Sequence, residues 1–220
     1  MTTTLQDGKV ASALERMYAE ARSEFSAERL RNVDLSVLER GSAQERADAM
    51  SDVYMPISPD AGKLMYALIR ATRPTTVVEF GMSYGVSTIH LAAAVRDNGA
   101  GQVFTTEMSA KKISAARATF AELGLADVIT VLEGDALTTL RDIEGPVGVT
   151  LLDGWKEMYL PVLELLEPEL AVGSLLVADN TERADAKPYL DRVRDPANGY
   201  VSLNFPGKRD DTMELSCRVG

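Results

Sequence analysis

The sequence predicts an α/β fold: a doubly wound, mostly parallel sheet of seven strands, with an antiparallel C-terminal edge hairpin and an N-terminal helical extension. Three observations predict it. Short β-branched runs alternate with helical stretches from Thr75 onward. The first run leads through a glycine turn into a helix, TTVVEFGMSYGVSTIHLAAAV. The last two strand-like runs follow each other with only the polar loop PGKRDD between them, which is hairpin order.

Residues 8 to 50 are helical and charged. Val10, Leu14, Met17 and Ala21 recur at helical spacing among Glu15, Arg16, Glu20 and Arg22. Leu30, Val33, Leu35 and Leu38 extend the apolar pattern, which breaks near Gly41, and Ser42 to Met50 is another short helix. Residues 1–50 therefore form an extension that caps the site or meets a second subunit in a homodimer; a loosely packed leader is the alternative. Residues 51–220 hold the sheet. Tyr54 to Asp60 is extended, because Pro56 and Pro59 disfavour helix at the residues before them. Ser58 then caps a helix with Pro59 at its first position, running to about Thr72. This segment either lies across a ligand's mouth or is a plain connector.

The first strand carries Val77, Val78 and Phe80, the pattern of a strand buried on both faces. Gly81 and Gly85 follow, then a helix from about Ser87. Bare backbone and a helix start at the carboxyl end of a parallel strand are where open α/β sheets bind ligands. Glu79 disfavours a pyrophosphate there and favours a ligand with an ammonium or sulfonium group. Gly101 to Glu107 is the second strand, and Ser109 to Leu123 a helix capped by Ser109 and stopped by Gly124. Glu107 stands roughly 20–25 residues past the glycine turn, where a carboxylate takes ribose hydroxyls. Val128 to Leu132 is the third strand. Asp135 after it accepts from an adenine amino group, caps the helix ALTTL, or does both with its two oxygens. Val147 to Leu152 ends in Asp153-Gly154-Trp155-Lys156, and a helix follows from Tyr159 to Leu170. Gly173 to Ala178 ends in Asp179-Asn180. A helix from about Ala186 to Arg194 and strands at 200–204 and 212–218 complete the chain.

Composition excludes several classes. A formal charge of −10 argues against nucleic acid and against an anionic membrane surface. No stretch approaches a transmembrane span, and the N-terminus has no apolar signal region, so the expectation is a soluble, cytoplasmic protein. Cys217 is the single cysteine, which rules out an intrachain disulfide. His90 is the single histidine and reads as a helix residue; a zinc site or Ser-His-Asp triad has too few histidines.

Glu79, Glu107, Asp135, Asp153 and Asp179 with Asn180 thus collect at one rim of the sheet. Like charges at 4 Å repel by about 4 kcal/mol at an effective dielectric near 20. A divalent metal and a positively charged ligand relieve this. Asp153, Asp179 and Asn180 offer three hard oxygens, which suit Mg²⁺ over zinc.

The chain resembles the class I S-adenosylmethionine-dependent O-methyltransferases, and within them the metal-dependent branch of catechol and caffeoyl-CoA O-methyltransferases. The motifs that carry the likeness are VVEFGMSYGVST, the Glu107 strand end, GDAL, LLDGWKEMYLP and LLVADN, spanning about Tyr54 to Asn180. DGWKEMYLP is nearer the catechol enzymes. The resemblance implies a Rossmann-like methyltransferase domain over 51–220. It implies that Gly81, Ser83, Ser87 and Glu79 surround the methionine part of S-adenosylmethionine and that Glu107 binds its ribose. Met108, Asp135, Ala136 and Leu137 then surround adenine and Trp155 packs nearby, with Asp153 beside the cofactor and Met55 and Ile57 closing over the sulfur. Asp153, Asp179 and Asn180 match the ligands of Mg²⁺, or of Mn²⁺ or Ca²⁺, and Lys156 matches the general base, so that Asp153 and Lys156 are the catalytic pair. The chemistry is coherent: a phenol of pKa near 10 attacks poorly at neutral pH. A Lewis acid and a nearby lysine base turn it into a phenolate that displaces the sulfonium sulfur in line. The chain departs from the catechol pattern where an acid of the C-terminal loop holds the second hydroxyl. Phe205 stands near that place, and Asp210 or Asp211 is the substitute. The expected acceptor is a small catechol-like phenol. The alternatives are a non-catechol acceptor or a cofactor-binding protein without turnover.

Overall fold

Val77, Val78 and Phe80 put apolar side chains on both faces of one strand, and β1 (Thr76–Phe80) is buried along its whole length. The computed structural model describes residues 3–207 and 211–220. In it β1 lies between β2 (Gln102–Glu107) and β4 (Val147–Leu152), parallel to both. β3 (Ile129–Glu133) extends the sheet beyond β2, and β5 (Leu170–Ala178) beyond β4, again in parallel. β7 (Thr212–Arg218) runs antiparallel to β5 and pairs with β6 (Tyr200–Pro206) at the edge. The order is β3-β2-β1-β4-β5-β7-β6. The strand order reverses between β1 and β4, so the ligand crevice of such a sheet opens at the carboxyl ends of these two strands.

Alternation along β1 sends Val77 into one core and Val78 and Phe80 into the other. The first core is covered by α1 (Gly8–Ala21), α5 (Pro59–Thr72), α6 (Val86–Asn98) and α7 (Ala110–Glu122). The second is covered by α8 (Ala136–Thr139), α9 (Tyr159–Leu166) and α10 (Lys187–Arg194). Helix α6 is buried nearly all round, as its run of Ile89, Leu91 and alanines requires. The expected doubly wound sheet with an antiparallel edge is the fold observed.

Two boundaries differ from the expectation. The helix from Tyr159 ends at Leu166, and a tight turn over Glu167–Glu169 leads into β5 at Leu170. Pro168 explains this, since it has no backbone N–H to donate to Glu164 O and so cannot continue the α-helical ladder. Leu170 then pairs with Val147 and is buried, so β5 starts three residues ahead of Gly173. The N-terminal region is broken into four helices: α1, α2 (Glu24–Arg31), α3 (Leu35–Arg40) and α4 (Ala43–Ala49), each opened by a capping side chain, Asp7, Ser23, Asp34 and Ser42. Val10, Leu14, Met17 and Tyr18 of α1 share a core with α5 and α6. Leu30 and Leu35, read from spacing as a continuing apolar face, are instead 51% and 68% exposed. No described helix is long and apolar enough to cross a membrane.

His90 sits inside α6, with its Nδ1–H donating to Val86 O at 2.9 Å. Gly62 lets α5 approach it: a Cβ there would stand 2.6 Å from His90 Nε2. Gly62→Ala is expected to destabilise the chain by about 1–3 kcal/mol through overpacking, despite alanine's better helix propensity. A raised denaturant midpoint would show that the two helices do not pack this closely. Burial also holds the His90 imidazole below its ordinary pKa. The unfolded chain therefore binds a proton below about pH 6.5 that the folded chain does not, and stability falls as pH drops from there. One unit below, the loss is up to about 1.4 kcal/mol. Urea titrations at pH 7.5 and 5.5 should show that His90→Gln removes this part of the acid sensitivity.

Candidate active site

At the carboxyl rim the strands are laced together by their own backbone. Asp153 N–H donates to Phe80 O at 2.9 Å, joining β4 to β1, and Asp179 N–H donates to Leu152 O at 3.0 Å, joining β5 to β4. Gly81 (φ +101°) must be glycine for this closure: a Cβ would meet Gly154 N at 2.6 Å and Asp153 O at 2.8 Å. Beyond it, Ser83 holds a left-handed conformation at φ +50°. The turn is anchored by Glu107. Its Oε2 accepts from Ser83 N at 2.9 Å, and its Oε1 from Met108 N at 2.8 Å and Ser109 N at 2.9 Å. Three of about four acceptor positions on this carboxylate are thus filled by backbone. Gly134 N–H reaches Glu107 O at 2.8 Å, bringing the end of β3 alongside. Asp135 is exposed and caps α8 by accepting from Leu137 N at 3.0 Å. Ala136 is buried beneath it and Leu137 is half-buried.

Glu79 is fully buried. Its Oε2 accepts from the hydroxyls of Thr88 and Thr105, each at 2.5 Å, while its Oε1 is buried with no partner among the described residues. Burial pushes its carboxyl above the ordinary range, against the pull of the nearby Ser87, Thr105 and Thr88 hydroxyls. Ser83 Oγ is likewise buried with no partner among the described residues. The segment before α5 separates two expected neighbours: Met55 is 43% exposed, whereas Ile57 lies in the core with Met82 and Tyr84.

The other half of the rim gathers Asp153, Lys156, Asp179 and Asn180. Lys156 Nζ is 3.3 Å from Asp153 Oδ1, and both side chains are nearly buried. The same ammonium donates to the Tyr159 hydroxyl at 2.8 Å, which donates in turn to Asp179 O at 2.8 Å. Sequence reading took Tyr159 only as a helix start; its place three residues after Lys156 was the signal. Burial, with Asp153 and Asp179 adding, pushes its phenol well above the usual value, so it stays a neutral donor. Asn180 adopts φ +57° and its Nδ2 donates to Asp211 Oδ2. Burial, with Glu182 and Asp179 adding, pushes the Asp211 carboxyl up to about 6. Asp211 therefore reaches this corner, Phe205 is half-buried, and Asp210 lies outside the described residues. Among the described residues no three His, Cys, Asp or Glu side chains form a metal cluster by themselves. A cation here needs the Asn180 amide oxygen beside Asp153 and Asp179. The crowded acids, with Asp211 Oδ1 buried and unpartnered among the described residues, fit such an ion.

Two further residues escaped sequence reading. Lys112, on α7, is 4% exposed, with its Nζ 5.8 Å from the centroid of the Tyr84 ring. Burial holds its ammonium below the lysine range, opposed by Glu107 and Asp153. Arg46, on α4, lies over Trp155. Surface cavities of about 500 and 330 Å³ lie beside the N-terminal helices, and neither takes in a predicted site residue.

A family described as a methyltransferase domain matches residues 78–181. The chain is 30% identical over 143 residues to a catechol O-methyltransferase of Mycobacterium tuberculosis, covering 64% of each. It is 26% identical over 178 residues to catechol O-methyltransferase B of Danio rerio, covering 76% of this chain and 66% of that one. The chain thus spans slightly under two thirds of the length of these curated relatives. Among solved structures, cofactor-bound Rv0187 from MTB superposes with a TM-score of 0.68 at 25% identity, covering 84% of this chain and 94% of that one. An O-methyltransferase from Bacillus cereus in complex with SAH shares the fold, with a TM-score of 0.65 at 19% identity over 90% of this chain and 92% of that one.

Glu107→Gln tests the anchor of the glycine turn. A carboxamide has one acceptor oxygen for three donors, so the variant should lose about 2–3 kcal/mol. Amide hydrogen exchange at Ser83 should rise selectively, and unchanged protection there would show that Glu107 does not hold the turn.

Proposed function

We propose that this chain, whose residues 78–181 carry a methyltransferase domain, is an S-adenosylmethionine-dependent O-methyltransferase of the catechol type. Its acceptor is a phenolic hydroxyl of a catechol-like small molecule. Its metal is a divalent cation, Mg²⁺ or in its place Mn²⁺ or Ca²⁺, held by Asp153, Asp179 and Asn180. The observation that carries the reading is Lys156 Nζ held between Asp153 Oδ1 at 3.3 Å and the Tyr159 hydroxyl at 2.8 Å.

When bound, the cation supplies Lewis-acid charge that favours the ionised form of the acceptor hydroxyl. The remaining work belongs to the chain. Lys156 is the group placed to take the hydroxyl proton. Tyr159 donates to Asp179 O and so turns an oxygen lone pair toward Nζ, fixing a side chain that otherwise has many rotamers. The methyl donor lies along the crevice from β1 to β3. Its methionine part meets the glycine turn, with Gly81, Ser83, Ser87 and Glu79, and the unpartnered Ser83 Oγ offers it a donor. Glu107 has an acceptor position left for ribose. Met108, Asp135, Ala136, Leu137 and Trp155 surround adenine, and the segment of Met55 and Ile57 borders the sulfur. Holding both reactants in line supplies up to about 7–11 kcal/mol of the barrier reduction.

The test is methyl transfer from S-adenosylmethionine to a panel of diphenols, with and without a chelator. Turnover should require the cation, and turnover undiminished by the chelator would remove the metal from the proposal. Lys156→Met should lower kcat by about 10²–10⁴ while the affinity for S-adenosylhomocysteine, read by calorimetry, stays within about threefold. Absence of any S-adenosylhomocysteine binding to the wild type would end the reading altogether.

A further inference from the structure

Arg46 belongs to the N-terminal extension, yet it touches the wall of the proposed cofactor site. Its Cζ lies 3.9 Å from the centroid of the Trp155 ring. Its guanidinium also pairs with Glu157 at 2.6 Å, and its side chain is only 20% exposed. Two residues earlier on α4, Gln44 Nε2 donates to Met108 O at 3.4 Å. Met108 follows β2 and Trp155 follows β4, so they stand on different sides of the crevice. A single turn of α4 thus reaches two of the residues that the proposed function sets around adenine. Arg46 Nε is buried with no partner among the described residues, a donor left over in the same guanidinium plane.

We propose that Arg46 is a positioning residue for the adenine ring of the methyl donor: it covers one face of Trp155 and so fixes the opposite face toward the cofactor. The inference rests on the proposed function for the identity of that ligand. An indole free to turn about its side-chain torsions loses that freedom when a ligand packs on it. A guanidinium stacked on the ring, and tied to Glu157, removes the freedom beforehand, so that binding does not have to. Arginine suits this better than lysine, because its planar group stacks while its edge pairs with a carboxylate. Arg46 touches no reacting atom, so it acts on cofactor affinity and leaves the chemical step alone.

Trp155 is the only tryptophan of the chain, so its emission reports this contact directly. S-adenosylhomocysteine is titrated into wild type, Arg46→Met and Arg46→Lys, followed by tryptophan fluorescence with calorimetry in parallel. In wild type the emission should change along the same isotherm as the heat. Arg46→Met should bind about fivefold to tenfold more weakly, with Arg46→Lys between the two and Glu157→Gln weaker than wild type by about twofold. KM for S-adenosylmethionine should rise by the same factor as Kd, with kcat and the acceptor KM within about twofold. Equal affinity in wild type and Arg46→Met overturns the proposal, as does a loss shared by kcat and the acceptor KM. Wild-type binding seen by heat but silent in Trp155 emission also overturns it, while leaving the proposed function standing. Absence of heat removes the proposed function itself.

Discussion

The backbone contact between the carboxyl ends of β1 and β4 is the constraint on which the rest depends. Phe80 O receives Asp153 N–H, and the chain leaving β4 runs directly against Gly81, where a side chain would collide with Asp153 and Gly154. Two consequences follow from one closure. The glycine turn is pushed over toward β2, where Glu107 captures it through Ser83 N. The β4 exit is held beside the β5 exit through Asp179 N–H to Leu152 O. The rim is therefore one rigid piece of backbone, and the side chains on it inherit fixed separations. Preorganisation of this kind is what charge-stabilising sites require, since donors and acceptors that are already aimed need no reorganisation when charge develops.

Electrostatics divides the rim in two. On the β2 side Glu107 is satisfied by three backbone amides, whereas Glu79 takes two threonine hydroxyls on Oε2 and keeps a buried Oε1 without a partner among the described residues. On the β5 side satisfaction is incomplete as well. Asp211 has one buried oxygen without a partner among the described residues and a carboxyl raised to about 6. Lys156 supplies one positive charge beside Asp153. One incompletely satisfied carboxylate, Asp211, thus lies where a cation is proposed, and the other, Glu79, lies where the positively charged methyl donor is proposed. The sequence pattern of five acids at one edge looks uniform; their hydrogen bonds make them unlike.

The legible parts were those set by local rules. Strand β1, the glycine turn, the caps Ser58, Ser109 and Asp135, and the C-terminal hairpin follow from β-branching, glycine spacing and capping chemistry, which act over a few residues. Proximity of Lys156 to Asp153 was legible for the same reason, being three residues apart. The contacts that escaped are long-range. Nothing local to Arg46 announces Trp155, and nothing local to Lys112 announces burial beside Tyr84. The apolar spacing of Leu30 and Leu35 misled because helices of eight and six residues have too little length to bury a continuous face. The early start of β5 was hidden by Gly173, which reads as a strand boundary but sits inside the strand at φ +93°.

The antiparallel edge has its own logic. A parallel strand added beside β5 would begin at the amino rim, and the loop before it would lie on the far side of the sheet. Because β7 runs antiparallel to β5, it begins where β5 ends. Thr181 N–H accordingly donates to Thr212 O at 2.9 Å, and Asn180 Nδ2 reaches Asp211. The start of β7, with Asp211 just before it, is thereby delivered to the corner that holds Asp179 and Asn180. A reversal at the edge of an otherwise parallel sheet thus brings the start of an edge strand to the rim where the parallel strands end.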